Sequence, residues 1–398
     1  MMKKYNFIDL FAGCGGLSEG FYRVGYNALS HVEINHAACN SLKSRMKYYG
    51  YEDVEQSVLE IDITRNDILE LIDTSVNGKN VDIIIGGPPC QAYSSLGRAK
   101  DEKGMKEDPR NYLFESYVKV LNYYKPKIFV FENVTGMLTA KINGEKIANK
   151  VFEALGENYQ VNLDPNMIVL NSADYGVPQI RKRVIIIGVR KDLNINIDKV
   201  YDSIKKTHSD TDSSLIPYVT VYDAIYELPK LLPGEGNNII NFTSTLPNEF
   251  IKRIRKADDN ILRDHIARKH NEIDKQRYKE MSKNKWTFKE LLENRPDLKH
   301  ENPRVFSNSY TVQVWDKPAR TIIAHLYKDG NQFIHPDHSQ ERTISVREAA
   351  RLQSFPDDFV FEGSRTEQYK QIGNAVPPLF AEAIAKGILS VLVESEDE

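Results

Sequence analysis

The chain has 398 residues, 41% hydrophobic and 27% charged, with a formal net charge of −3. Such a balance suits a globular protein of roughly two or three domains, and the absence of any 18-residue apolar run argues against a signal peptide or a membrane span. Three cysteines, Cys14, Cys39 and Cys90, with no CxxC pair, exclude a disulfide framework and predict free thiols in a cytoplasmic protein.

In chain order, the first half alternates short β-branched runs with amphipathic stretches. The runs Tyr5–Leu10, Ala28–Glu33, Val81–Ile85, Ile128–Glu132 and Val184–Val189 predict strands. Between them Asn35–Tyr49, Asn111–Tyr124 and Glu145–Leu155 predict helices. Apolar strands alternating with helices imply an α/β fold with a doubly wound, mostly parallel sheet. From about Arg190 to Tyr310 the chain is polar and weakly periodic; Ser345–Gln353 and Leu379–Val391 then read as helices again. The pattern predicts a discontinuous catalytic and cofactor-binding domain (1–190 plus 374–398) and a smaller inserted domain (195–370, variable core about 195–310). Charge is uneven: residues 251–304 hold 16 Lys and Arg against 10 Asp and Glu, which suits phosphate binding, although a charge run is more often a solvated face.

Three constellations carry chemistry. Asp9-Leu-Phe-Ala-Gly-Cys-Gly-Gly-Leu follows the first strand and opens a helix, where Gly13, Gly15 and Gly16 allow a tight turn against a ligand. Glu33 ends the next strand, 18 residues after Gly15, where a carboxylate commonly holds ribose hydroxyls. Taken alone this suits any nucleotide-like cofactor, NAD included, although Ser18 stands where a dinucleotide fingerprint has its third glycine. Gly86-Gly-Pro-Pro-Cys-Gln fixes an unusual backbone at a strand's C-terminal end, an expensive place for a passive thiol, whereas Cys39 on a helix reads as inert and Cys14 as lining the cofactor cleft. Phe131-Glu-Asn-Val puts Glu132 at the end of another strand, able to face the same pocket. The cluster His325, His335, Asp337 and His338 has no standard ligand spacing, so no metal is expected.

These motifs resemble those of the cytosine-C5 DNA methyltransferases of bacterial or phage type. Phe11-Ala-Gly-Cys-Gly-Gly is similar to the family's cofactor motif, Pro-Pro-Cys90-Gln to its nucleophile loop and Glu132-Asn-Val to its second catalytic motif. Gln179-Ile-Arg-Lys-Arg, preceded by Tyr175-Gly-Val-Pro, resembles the basic motif; Pro318-Ala-Arg-Thr-Ile and Gly373-Asn-Ala-Val-Pro-Pro resemble the two late motifs. The match covers about residues 7–189 and 317–390, with small departures at Tyr93 and Ile323.

The resemblance implies S-adenosyl-L-methionine as cofactor and double-stranded DNA as partner, with the target base flipped out of the helix. It implies that the Cys90 thiolate attacks cytosine carbon 6 to activate carbon 5, that Glu132 acts as an acid at ring nitrogen 3, and that Arg181 and Arg183 support the ring oxygen and the nucleophile. Phe11, Gly13, Gly15, Gly16 and Leu17 would line the cofactor, Glu33 would hold its ribose and Asp62-Ile63 its adenine, with Leu113 and Asn374-Ala375 completing the site. Gln91–Arg110 would form a lid. Residues 195–310 would read the target sequence, with Arg253, Arg255, Arg263, Arg268, Arg277 and Lys279 as basic groups and Asn271, Gln276 and Asn284 suited to adenine edges. A monomer acting on the nucleoid is expected, either in restriction–modification with an endonuclease encoded nearby or as an orphan enzyme. The alternatives are the same chemistry on transfer RNA, a non-catalytic DNA-binding relative, which intact Cys90 and Glu132 oppose, and a dehydrogenase, which leaves Cys90 without a use.

Overall fold

The computed structural model describes residues 5–89, 113–142, 144–245, 248–299 and 310–397. The chain divides into a larger unit, Met1–Tyr175 with Lys182–Lys206 and Pro378–Glu398, and a smaller one, Gly176–Arg181 with Thr207–Pro377.

The larger unit is built on one eight-stranded sheet. Its strands are β1 (Asn6–Leu10), β2 (Asn27–Glu33), β3 (Val58–Glu60), β4 (Ile83–Gly86), β5 (Ile128–Val134), β6 (Tyr159–Val161), β7 (Val169–Asn171) and β8 (Lys182–Arg190). They lie in the order β3-β2-β1-β4-β5-β8-β6, with β7 also paired to β8. From β3 to β5 every pairing is parallel; β8 runs antiparallel to β5, β6 and β7. Ile83–Ile85 and Val184–Ile187 are wholly buried, as continuous β-branched runs covered on both faces must be. The five predicted strands are present; the three-residue β3, β6 and β7 carry too little pattern to have been read.

Helices α1 (Gly16–Val24), α2 (His36–Tyr48), α3 (Ile68–Val76), α4 (Leu113–Tyr124) and α5 (Ile147–Gly156) fill the crossovers. Tyr117 shows how tightly they seat: fully buried on α4, its hydroxyl reaches the carbonyl oxygens of Ile84 on β4 (3.2 Å) and Val130 on β5 (3.0 Å). The C-terminal helix Pro378–Asp397 packs on α1, where Arg23 pairs with Glu382 at 2.7 Å and the Tyr26 hydroxyl donates to Ala385 O at 3.0 Å. A window within Arg365–Glu396 is apolar enough to cross a membrane, but 72% of it is buried inside the protein, as a core helix requires.

The smaller unit differs from the expected 195–370 insert in taking Gly176–Arg181 and the residues up to Pro377. Backbone bonds explain the reassignment: Ile180 N–H donates to Ala319 O and Ala319 N–H to Pro178 O, both at 2.9 Å. Its polar sequence conceals two cores. One is apolar, with Tyr278 and Met281 of α6 (Glu272–Asn284) against Phe288, Leu291, Leu298, Tyr310 and Ile334. The other is ionic and surrounds α7 (Val346–Leu352), whose Arg347 and Arg351 are fully buried, as is Arg342 just before it. Arg342 holds Glu348 through two 2.7 Å bonds, and Arg351 holds Asp357 at 2.9 and 2.6 Å. Burial alone would raise the Glu348 carboxyl, but Arg342 and His335 hold it well below the usual carboxylate range.

Removing one partner of such a buried pair leaves the other charge uncompensated. Glu348→Ala is therefore expected to cost about 3–5 kcal/mol of stability, read as a lowered midpoint in chemical denaturation; an unchanged midpoint would show that the network does not hold the unit together.

Candidate active site

The glycine turn is fastened from below and from the side. Phe11, Gly13 and Gly15 all have positive φ (59°, 56° and 87°), a backbone that costs glycine least and that strains Phe11. Gly13 N–H donates to Glu33 Oε2 at 2.8 Å, while Glu33 Oε1 accepts the N–H groups of Ile34 (2.9 Å) and Asn35 (2.8 Å). One carboxylate thus ties the turn after β1 to the entry of α2. A Cβ on Gly13 would meet no atom within 4 Å, so this stretch of backbone faces open space. Leu17 and Gly16 begin α1 and are buried beneath it.

Beneath the turn, Asp9 is fully buried and accepts the Ser18 hydroxyl proton at 2.6 Å. Burial pushes its carboxyl up to about 8, with Glu33 adding a smaller contribution and Ser18 opposing. Cys14 and Cys39 are both buried thiols raised above their ordinary range by burial; Cys39 faces Glu33 O at 3.6 Å, an inert position as expected of it. Asp62 is exposed and caps its own turn by accepting from Thr64 N and Oγ1 (2.9 and 2.8 Å), with Ile63 buried beside it. Leu113 is half-buried at the start of α4.

The second constellation sits at the C-terminal ends of β4 and β5. Glu132 pairs through Oε1 with Arg183 Nε at 2.9 Å, and both side chains are largely buried. The pair exists because β8 runs antiparallel to β5, setting Ile185 opposite Glu132 and Arg183 opposite Val134. Burial lowers the Arg183 guanidinium from its ordinary value, while Glu132 counteracts. Glu132 Oε2 points toward Gly87: a Cβ there would stand 2.8 Å from that oxygen, so a side chain at 87 would displace the carboxylate from this position. Asn133 Nδ2 donates to Pro88 O at 3.3 Å, fixing the segment that leads to position 90. Cys90 itself and Gln91–Arg110 lie outside the described residues.

Three of the predicted catalytic and cofactor residues belong to the smaller unit. Arg181 belongs to the smaller unit, where its Nη1 donates to Ile322 O (2.6 Å) and Nη2 to Gly373 O (3.2 Å). The expected arginine pair is therefore split: Arg183 meets the Glu132 carboxylate, and Arg181 binds backbone. Asn374 and Ala375 end α8 (Arg365–Asn374), also in the smaller unit. Among the described residues no three His, Cys, Asp or Glu side chains gather as metal ligands would.

Several residues named as basic groups for DNA prove to be internal. Arg255 bonds Asp357 (3.1 Å) and the carbonyls of Phe242 and Asp259; Arg268 bonds those of Leu326 and Lys328; Arg277 bonds Leu298 O (2.9 Å) and Asp274 (2.8 Å). Asn271 caps α6 by accepting from Asp274 N at 2.7 Å, Asn284 donates back to Glu280 O at 3.0 Å, and Lys279 pairs with Glu341 at 2.6 Å. Gln276 and Arg253 are exposed and Arg263 is half-buried.

A parallel sheet with one reversed neighbour, a glycine turn after β1 and a carboxylate ending β2 define a methyltransferase of the S-adenosylmethionine-dependent class. The chain belongs to the C-5 cytosine-specific DNA methylase family, whose model matches residues 5–390. It is 35% identical to the type II methyltransferase M.Bpa9945I of Bacillus paralicheniformis, covering 97% of this chain and 98% of that protein. It is 34% identical to M.DdeI of Desulfomicrobium norvegicum, over 96% and 88% of the two chains. Among solved structures, a protein assigned as a DNA modification methyltransferase encoded within an E. coli prophage superposes with a TM-score of 0.73 at 27% identity, over 98% of this chain and 100% of that one. The methyltransferase EhMeth of Entamoeba histolytica, at 15% identity and a TM-score of 0.56 over 100% of both chains, shares the fold. The protein is thus an enzyme, a DNA (cytosine-5-)-methyltransferase, and its family and fold imply use of S-adenosylmethionine.

The buried Asp9 generates a pH dependence. A carboxyl that ionises near 4 unfolded and near 8 folded carries an extra proton in the native state between those values, so its contribution to stability is complete below pH 4 and is lost as pH rises toward 8. Asp9→Asn, which keeps an acceptor for Ser18, is expected to flatten the decline measured by denaturation between pH 5 and 8. Equal slopes in both proteins would rule this out.

Proposed function

We propose that Cys90 is the nucleophile of this methyltransferase and Glu132 its acid, acting on a cytosine flipped out of double-stranded DNA. The observation that carries the reading is the Glu132 carboxylate, held by Arg183 through Oε1 and turned by Oε2 toward Gly87, three residues before Cys90. The Cys90 thiolate forms a bond to carbon 6 and drives ring electrons onto carbon 5. Glu132 supplies a proton at ring nitrogen 3, quenching the charge that builds there. Arg183 sets the carboxylate's position. Arg181 contributes by fixing the backbone of Ile322 and Gly373. Once carbon 5 carries the methyl group, a base removes its proton and Cys90 is expelled, restoring the aromatic ring.

The turn fits S-adenosylmethionine: Gly13 offers bare backbone to open space, and Glu33 stands at the strand end beside it. Phe11, Gly13, Gly15, Gly16, Leu17, Glu33, Asp62, Ile63 and Leu113 would hold the cofactor, with Asn374 and Ala375 assigned by resemblance. When bound, it supplies an electrophilic methyl group. The unit Thr207–Pro377 is assigned to target reading. A place in a restriction–modification pair, with an endonuclease encoded nearby, is supported by the type II methyltransferases among the relatives.

DNA containing 5-fluorocytosine should trap the enzyme, because fluorine cannot leave as the proton does. A denaturing gel is expected to show a shifted protein–DNA band that requires cofactor and vanishes in Cys90→Ala; the same band from the alanine variant would disprove the assignment.

Glu132→Gln keeps the shape of the side chain but loses the acid. Turnover should fall by about 10²–10⁴-fold with S-adenosylmethionine affinity little changed, as measured by methyl transfer and calorimetry. Wild-type turnover in that variant would make Glu132 a bystander.

A further inference from the structure

The described residues of the smaller unit include a two-stranded antiparallel ribbon, β9 (Gly236–Asn241) with β10 (Ile261–Ile266). Its inner face is anchored. Leu262 is fully buried; so is His265, which follows Asp264, whose positive φ (59°) interrupts the alternation of faces, and His265 bonds Ser345 Oγ (2.9 Å) and Pro229 O (2.8 Å). Arg347 Nε donates to Arg263 O at 2.9 Å, so the ionic core grips the ribbon's backbone as well. The outer face is different. Ile239 lies directly opposite Arg263 and Asn241 opposite Ile261. Ile239 is 65% exposed, an unusual position for a large aliphatic side chain on a fixed strand. Neither the Arg263 guanidinium nor the Asn241 amide has a hydrogen-bond or ion-pair partner among the described residues.

This arrangement is costly for a strand that only completes a fold. Asparagine is disfavoured in strands, yet β9 reads Gly-Asn-Asn-Ile-Ile-Asn. Six arginines of the unit, Arg255, Arg268, Arg277, Arg342, Arg347 and Arg351, are committed to carboxylates and carbonyls, whereas Arg263, like the exposed Arg365, has no such bond among the described residues. Among the described residues Arg263 has no hydrogen-bond acceptor, and its guanidinium interacts electrostatically with the Asp264 carboxylate beside it.

We infer that this ribbon enters the major groove of the substrate DNA and that Arg263, Ile239 and Asn241 read base edges there. The inference rests on the assignment of the smaller unit to target reading, and the substrate of the family supplies the occupant. A two-stranded ribbon fits the major groove, and the three side chains match its code: guanidinium to guanine O6 and N7, amide to adenine N6 and N7, aliphatic carbon to the thymine methyl. Spacing also agrees. Cross-strand neighbours stand about 5 Å apart, reaching adjacent base pairs, while Ile239 and Asn241 lie about 6.8 Å apart along the strand, roughly two base steps.

The test is methylation of a duplex library randomised around the modified cytosine, read by bisulfite sequencing with the full-length enzyme. Arg263→Ala, Ile239→Ala and Asn241→Ala should each relax the preference at one base pair by roughly 10- to 100-fold, leaving other positions intact. Arg263→Lys keeps the charge and stem but not the two-pronged donor, and should lose the same preference, so a folding defect in the alanine variant does not decide the matter. Preferences unchanged in all four variants would overturn the proposal. So would uniformly weaker methylation of every sequence with a flatter salt dependence, which marks phosphate contacts. A wild-type enzyme that methylates no library member would instead overturn the catalytic reading beneath it.

Discussion

A carboxylate at the edge of a parallel sheet, largely withdrawn from water, needs a cation. In this protein the reversed strand β8 supplies it. Running antiparallel to β5, it places Arg183 against Glu132, and the 2.9 Å bond between them occupies one carboxylate oxygen and aims the other. A Cβ at Gly87 would crowd Glu132 Oε2, so glycine there leaves the carboxylate in this position. Strand direction, glycine identity and carboxylate orientation thus act together, and the proposed chemistry depends on them: an acid about 1 Å out of place loses much of its effect.

The cofactor side is organised by a comparable economy. Glu33 accepts three backbone N–H groups, one from the glycine turn and two from the start of α2, so a single side chain sets the shape of the turn from outside it. Asp9 supports the same turn from beneath, bonded to Ser18. The serine that replaces the third glycine of a dinucleotide fingerprint therefore has a positive use here, as the donor that satisfies a buried carboxyl.

In the smaller unit the governing quantity is how arginine is spent. Asp357 takes bonds from Arg351 and Arg255, Glu348 takes two from Arg342, Glu227 takes one from Arg351 and Asp274 one from Arg277, and further guanidinium groups bond backbone carbonyls, as at Arg268 and Arg347. A segment with little regular secondary structure leaves many carbonyls unbonded, and a planar donor with five protons can satisfy several at once. The basic excess of residues 251–304 is for this reason only partly a surface property, and counting charges could not separate internal from external arginines.

The chain by itself determined a good deal: five strands, the flanking helices, the glycine turn, Glu33 at the end of β2 and Glu132 at the end of β5. All of these rest on local signals, such as β-branched runs, turn residues and short motifs, which persist whatever the rest of the chain does. Three things were decided only in tertiary structure. The direction of β8, and hence the pairing of Arg183 with Glu132, follows from strand order. The separation of Arg181 from Arg183 follows from carbonyls of Ile322 and Gly373, more than 140 residues further along the chain. Which arginines stay near the surface follows from which of their fellows found buried partners. Each depends on contacts between residues distant in sequence, and periodicity or composition carries no record of those.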